Sequence, residues 1–164
     1  MTFVARLAAA VADRGALCVG IDPHPALLER WGVGADAPGA ERFGRTVVEA
    51  AAGRVGVIKP QVALFEALGP AGLVALERVL ADARGAGLIT IADAKRGDIG
   101  STTLGYAAAW LEPGAPLEAD ALTASPYLGV GALEGLFAAA ERAAKGVFVL
   151  AATSNPEGAA IQRA

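Results

Sequence analysis

Five short apolar runs punctuate the chain: ALCVGID (16–22), VGVIKP (55–60), GLITIAD (87–93), ADALTAS (119–125) and GVFVLAA (146–152). Between them lie Ala-rich amphipathic segments of helix length, at 38–53, 69–85, 100–111 and 129–144. Strand and helix alternate at a spacing of about 30 residues, the rhythm of βαβ units around a parallel sheet. Ahead of the first run, Arg6, Asp13 and Arg14 interrupt an apolar stretch at helical spacing. That pattern predicts an amphipathic helix and not a signal peptide.

Crossovers between parallel strands are almost always right-handed, which leaves a doubly wound sheet or an eight-stranded barrel. Every predicted strand ends in polar or special residues: Asp22-Pro23-His24, Lys59-Pro60-Gln61, Asp93 onward, Ser125-Pro126 and Thr153-Ser154-Asn155. In both folds ligands sit at the carboxyl ends of the strands. No GxGxxG follows the first strand and no Walker loop occurs, which favours the barrel over a nucleotide-binding open sheet. The expected fold class is α/β, a (β/α)8 barrel. Five βα units are counted, and 161–164 falls just inside a sixth helix. A complete barrel takes about 250 residues, so residues 1–164 are expected to form one incomplete barrel domain.

Composition narrows this further. Hydrophobic residues make up 54% and charged ones 19%, a balance suited to strands buried on both faces. The net charge of −3 and the lack of a basic block argue against nucleic acid. No segment is long and uncharged enough to span a bilayer. Cys18 is the single cysteine, which rules out an internal disulfide and a thiolate metal cluster and points to a reducing cytoplasm.

The chemistry gathers in IADAKRGDIGSTT, residues 91–103. Residues i and i+2 of a strand face the same way, so Asp93 and Lys95 project together. Gly97 is expected to let the chain turn, bringing Asp98 toward the same site or toward a neighbouring chain. Lys59 and Asp22, on the two preceding strand ends, would extend this into an alternating Lys–Asp–Lys–Asp array. Opposite charges that close hold each other ionised; at an effective dielectric near 20, a pair about 4 Å apart attracts by roughly 4 kcal/mol. One Asp–Lys pair is more often structural than catalytic, but an array on successive strand ends favours catalysis. It suits a reaction in which a negative charge departs and a carbanion is protonated. The remaining polar residues have plainer readings: His24 as a turn residue, Cys18 as a small core residue, Ser101, Thr102 and Ser154-Asn155 as helix caps, Trp31 and Trp110 as packing.

DAKRGDIGSTT resembles the signature of the orotidine 5′-phosphate decarboxylase family, D-x-K-x-x-D-I followed by Thr, through Asp93, Lys95, Asp98, Ile99 and Thr102. IDPHP matches the stretch with that family's ribose-contacting aspartate at Asp22, and IKPQVALFE the stretch with its active-site lysine at Lys59. TSNPEG matches the segment whose serine contacts the pyrimidine, here Ser154. The wording of IKPQ, SPYLG and TSNPEG is similar to the longer bacterial branch. The resemblance implies a barrel without metal or organic cofactor that decarboxylates orotidine 5′-monophosphate to UMP, the last step of pyrimidine biosynthesis. Lys95 is then the donor that protonates the C6 carbanion. Asp93 and Asp98 flank the substrate carboxylate, and Lys59 and Asp22 hold ribose hydroxyls and the charge network. The resemblance further implies a homodimer in which Asp98, Ile99 and Thr102 reach the partner's site. The family's phosphate grip follows strands seven and eight, beyond this sequence, so turnover by the chain alone is expected to be low.

Two alternatives stand beside this expectation. Sugar-phosphate decarboxylases and aldolases of the same superfamily share D-x-K-x-x-D but use Mg²⁺, for which Lys59-Pro60-Gln61 is a poor site. A chain with exposed sheet edges could also be an inactive, self-associating barrel fragment.

Overall fold

The strands β1 (Cys18–Ile21), β2 (Val57–Pro60), β3 (Ile89–Arg96), β4 (Ala121–Ala124) and β5 (Gly146–Val149) lie side by side in chain order, all parallel. A doubly wound sheet reverses its strand order at a switch point; this one never does, so it is the wall of a (β/α) barrel made of five adjacent units. The computed structural model describes residues 1–163. Helices α1 (Phe3–Arg14), α2 (Pro25–Arg30), α3 (Ala37–Ala51), α4 (Val62–Glu66), α5 (Gly69–Gly85), α6 (Gly100–Trp110), α7 (Glu134–Arg142) and α8 (Ala159–Gln162) complete it. None is long and apolar enough to cross a membrane.

The outer face of the sheet carries the larger core. Ile21, Ile58, Ala92 and Leu122 point outward, are fully buried, and pack with Phe43 and Val48 of α3 and Leu76, Val79 and Leu80 of α5. Asp36 caps α3, its carboxylate accepting from the Gly39 N–H at 2.8 Å. The inner face is closed at its amino-terminal end by α1. Phe3, Leu7 and Ala10 lie over Val57, Ile89, Ile91 and Ala121, and the Phe3 ring meets Phe148 edge-on at 6.1 Å. A Cβ on Gly146 would collide with that ring, so glycine is required there for close approach.

The alternation predicted from sequence is present, with instructive shifts. β3 runs on through Lys95 and Arg96 instead of ending at 93, because it continues to pair with Ala124 of β4 across an irregularity. The segment 129–144 begins as a 3₁₀ turn, Val130–Leu133, before α7. The short helices α2 and α4 follow β1 and β2 directly and have no counterpart in the sequence-based reading. Burial on both faces holds along the whole of the interior strand β4 but not at the edges. Cys18, expected in the core, is exposed, because it lies on the inner face of edge strand β1; Phe148 and Val149 of β5, the other edge, are also exposed.

A buried polar cluster that sequence reading missed locks the amino-terminal end of the wall. Asp120, just ahead of β4, takes the Thr90 N–H at 3.0 Å and the Arg6 guanidinium at 2.6 Å. Lys145, just ahead of β5, pairs with Glu118 at 2.7 Å and approaches Asp120 at 3.8 Å. Burial alone would raise the Asp120 pKa, but the Thr90 N–H, Arg6 and Lys145 outweigh it and hold the carboxyl below its ordinary value. A depressed carboxyl contributes stability that is complete above the ordinary pKa of about 3.9 and is lost as pH falls through the folded value. Asp120→Ala is expected to cost roughly 3 kcal/mol by urea denaturation at neutral pH, since it strands buried donors. The difference from the native chain should shrink as the pH is lowered through that window.

Candidate active site

At the opposite end of the wall, the parallel register brings inward-facing residues of three strands to one level. Gln61 bridges to Asp93 across β2 and β3, and Thr123 of β4 lies alongside. Asp93, only 8% exposed, accepts four hydrogen bonds. Lys59 Nζ and Gln61 Nε2 donate to Oδ2 at 2.9 and 3.1 Å. Lys95 Nζ and the Thr123 hydroxyl donate to Oδ1 at 2.6 and 3.1 Å. Burial by itself would raise the Asp93 pKa; the hydrogen bonds from Lys95 and Lys59, with their charges, prevail and hold the carboxyl below the ordinary range. The Lys59 and Lys95 side chains are 35% and 48% exposed, so solvent screens much of the raw attraction. The arrangement fixes an ionised carboxylate between two ammonium groups, with the Lys95 ammonium open to a reacting atom.

The turn after Asp93 has its own constraint. Lys95 adopts φ +50°, the left-handed region that non-glycine residues avoid at a cost of about 1 kcal/mol or more. Gly97 has no such φ; a Cβ there would run into the Ser125 carbonyl, so close approach, not a special dihedral, calls for glycine. Arg96 faces away from Lys95, pairs with Glu66 of α4, and lies 5.8 and 6.0 Å from the Tyr106 and Trp110 ring centres.

The other expected site residues stand apart from this centre. Asp22 is half-buried against Gly20, the register partner of Lys59, yet forms no ion pair among the described residues. Asp98 likewise has none; its carboxylate accepts from the Ile99 N–H at 2.8 Å. The ionic array is therefore Lys59–Asp93–Lys95, with both outer aspartates unpaired, because neither carboxylate comes within ion-pairing distance of a lysine. Ile99 is 61% exposed and Thr102 is exposed at the start of α6. Neither Ser101 nor Thr102 caps that helix: Ile99 is at the cap position, and the Thr103 hydroxyl donates to the Asp98 carbonyl at 2.6 Å. Ser154 is exposed in the loop after β5. Asn155 holds the following cap position without a capping bond, its side chain being engaged by Thr153 and Glu157. His24, read as a turn residue, stands at the cap position of α2: its N–H donates to the Asp22 carbonyl at 2.7 Å and its carbonyl accepts from the Leu27 and Leu28 N–H groups.

Sequence reading named Lys59, Asp93 and Lys95 but gave no role to Gln61 or Thr123. The signal for Gln61 was present, since it stands two residues beyond Lys59 on the same strand face. Among the described residues no three His, Cys, Asp or Glu side chains gather as a set that could hold a metal ion. The donors around Asp93 are ammonium, amide and hydroxyl groups, unsuited to a divalent cation.

A barrel wall with its charged residues at the carboxyl ends of the strands defines the class: a (β/α)-barrel protein with a strand-end site. The chain belongs to the orotidine 5′-phosphate decarboxylase / HUMPS family, whose model matches residues 15–164. It is 60% identical over 163 residues to an orotidine 5′-phosphate decarboxylase of Salinispora arenicola and 53% identical over 161 residues to one of Corynebacterium efficiens. These alignments take in 99% and 98% of this chain but 59% and 58% of the relatives, so the chain spans less than two thirds of their length. Among solved structures, OMP decarboxylase of Leishmania donovani superposes with a TM-score of 0.82 at 34% identity, over 99% of this chain and 58% of that one. A Streptomyces avermitilis crystal structure named for the same decarboxylase gives a TM-score of 0.97 at 54% identity, over 99% and 57%.

The influences on Asp93 yield a direct prediction. By carbon NMR the Asp93 carboxyl should titrate below the ordinary value of about 3.9. It should move up in both Lys95→Met and Lys59→Met, since each lysine lowers it through a hydrogen bond and through its charge.

Proposed function

We propose that the protein to which this chain belongs decarboxylates orotidine 5′-monophosphate to UMP and CO2, in the cytoplasm, as the closing step of pyrimidine biosynthesis. The observation that carries this reading is the Asp93 carboxylate held between the Lys59 and Lys95 ammonium groups. An ionised carboxylate beside the substrate's own carboxylate favours loss of the latter as neutral CO2. Lys95, half-exposed and 2.6 Å from Asp93, stabilises the C6 carbanion and delivers a proton to it. Electrostatic stabilisation aimed at developing charge is commonly the largest catalytic contribution. Lys59 and Asp22 hold the ribose hydroxyls and Ser154 the pyrimidine, in keeping with the family motifs. The reading needs no metal or organic cofactor, and ammonium groups at the centre fit a metal-free reaction better than the Mg²⁺ alternative.

We further propose that residues 1–164 are a single, incomplete barrel domain and that the protein works as a homodimer with shared sites. Asp98, Ile99 and Thr102 then reach the partner's substrate. Exposed Ile99, Tyr127 and Leu128, all on strand-end loops, supply apolar surface for such a contact.

Loss of orotidine 5′-monophosphate absorbance tests the reaction. Native protein should consume substrate equally with and without EDTA, and Lys95→Ala should lower the rate by at least about 1,000-fold, the scale of a lost proton donor and charge partner. Turnover abolished by EDTA would favour the Mg²⁺ reading. Mixing Lys95→Ala with Asp98→Ala chains should recover activity if sites are shared, because some mixed dimers regain one intact site.

A further inference from the structure

We infer that Thr123 is a positioning residue for Lys95, a role that rests on the decarboxylase reading for its catalytic meaning. The Lys95 N–H donates to the Thr123 hydroxyl at 2.8 Å. The hydroxyl has one proton to give, and its nearer acceptor is Asp93 Oδ1 at 3.1 Å, against 3.5 Å for the Ala92 carbonyl. A single side chain on β4 thus ties the backbone of Lys95 to the carboxylate that its own ammonium grips from the other side.

The location gives this bond its weight. Lys95 is one of two non-glycine residues with positive φ among the described residues. A strained dihedral persists only where surrounding bonds hold it. The irregularity in pairing between Ala92 and Arg96 takes Lys95 out of the regular ladder, and the Thr123 hydroxyl accepts its N–H there. Thr123 is buried at 8% exposure, which excludes water as an easy substitute acceptor. Without the hydroxyl, the N–H is left unpaired and the left-handed turn loses its tether, so the ammonium group at the end of the side chain drifts from Asp93. Valine keeps the β-branched shape of threonine and removes only its hydroxyl, so the exchange isolates the hydrogen bonds from the packing.

Amide hydrogen exchange and carboxyl titration test this in the native chain and in Thr123→Val and Thr123→Ser. In the native chain the Lys95 amide should be protected although its side chain is half-exposed. In Thr123→Val its exchange should accelerate roughly ten-fold relative to the amides of β2 and β4, and Asp93 should titrate upward toward the ordinary carboxylate range. Thr123→Ser, which keeps the oxygen, should restore both signals. In protein that turns over, Thr123→Val should lower kcat about ten-fold with KM within about two-fold, and serine should recover most of the loss. Unchanged Lys95 exchange and Asp93 titration in folded Thr123→Val would overturn the inference. So would a freely exchanging Lys95 amide in the native chain, a measurement that stands even if the valine variant does not fold. Exchange and titration need no substrate, so absence of turnover in the native protein would count against the decarboxylase reading alone.

Discussion

A carboxylate buried at the end of a β-strand must be compensated by donors, and everything near the candidate site is arranged around that need at Asp93. An ionised carboxyl has about four lone-pair positions, and here four donors from β2, β3 and β4 occupy them. Such a set exists only if the three strands keep one register, because a slip of one residue would turn Lys59, Gln61 and Thr123 to the outer face. The outer core that Ile58, Ala92 and Leu122 share with the surrounding helices enforces that register. Apolar packing on one side of the sheet thereby decides the electrostatics on the other.

The two ends of the wall treat charge differently. At the amino-terminal end, Asp120, Lys145 and Glu118 are all largely buried and bonded to one another or to backbone. Such a cluster can hold strands in place but offers nothing to a ligand. At the carboxyl end the charges are only partly satisfied: Lys59 and Lys95 keep exposed surface, and among the described residues Asp22 and Asp98 have no ionic partner. Unsatisfied groups facing an open concave surface are a cost in a protein that only has to fold, and an asset in one that has to bind.

Much of this was legible in the sequence. The five apolar runs marked five strands, and α5 fell at its predicted bounds. Asp93, Lys95 and Lys59 could be grouped because strand alternation and barrel order are regular enough to project from residue numbers. What escaped reading depends on closeness between distant segments. Asp120 meets Arg6 across 114 positions, and no local pattern announces such a pair. Thr123 reads as an ordinary strand residue until the shift in β3 shows which N–H it receives. Cys18 was misjudged because apolar context suggests burial, whereas an edge strand leaves one face uncovered. Asp22 and Asp98 follow strand ends as expected, but among the described residues neither pairs with a lysine, since spacing along a chain fixes direction more firmly than reach.

The seating of Phe3 over the inner face of the sheet bears on how the chain is made. α1 precedes all five strands in the chain, yet its contacts arrive one strand at a time: Val57, then Ile89 and Ile91, then Ala121, and last Gly146 and Phe148. Contacts so far apart in sequence require loop closure before they return any stability. During synthesis the helix therefore spends its early life as an amphipathic segment without a full complement of neighbours, and its hold tightens with each strand that emerges. The helix comes before β1, but its seat on these strands is filled only when β5 is in place.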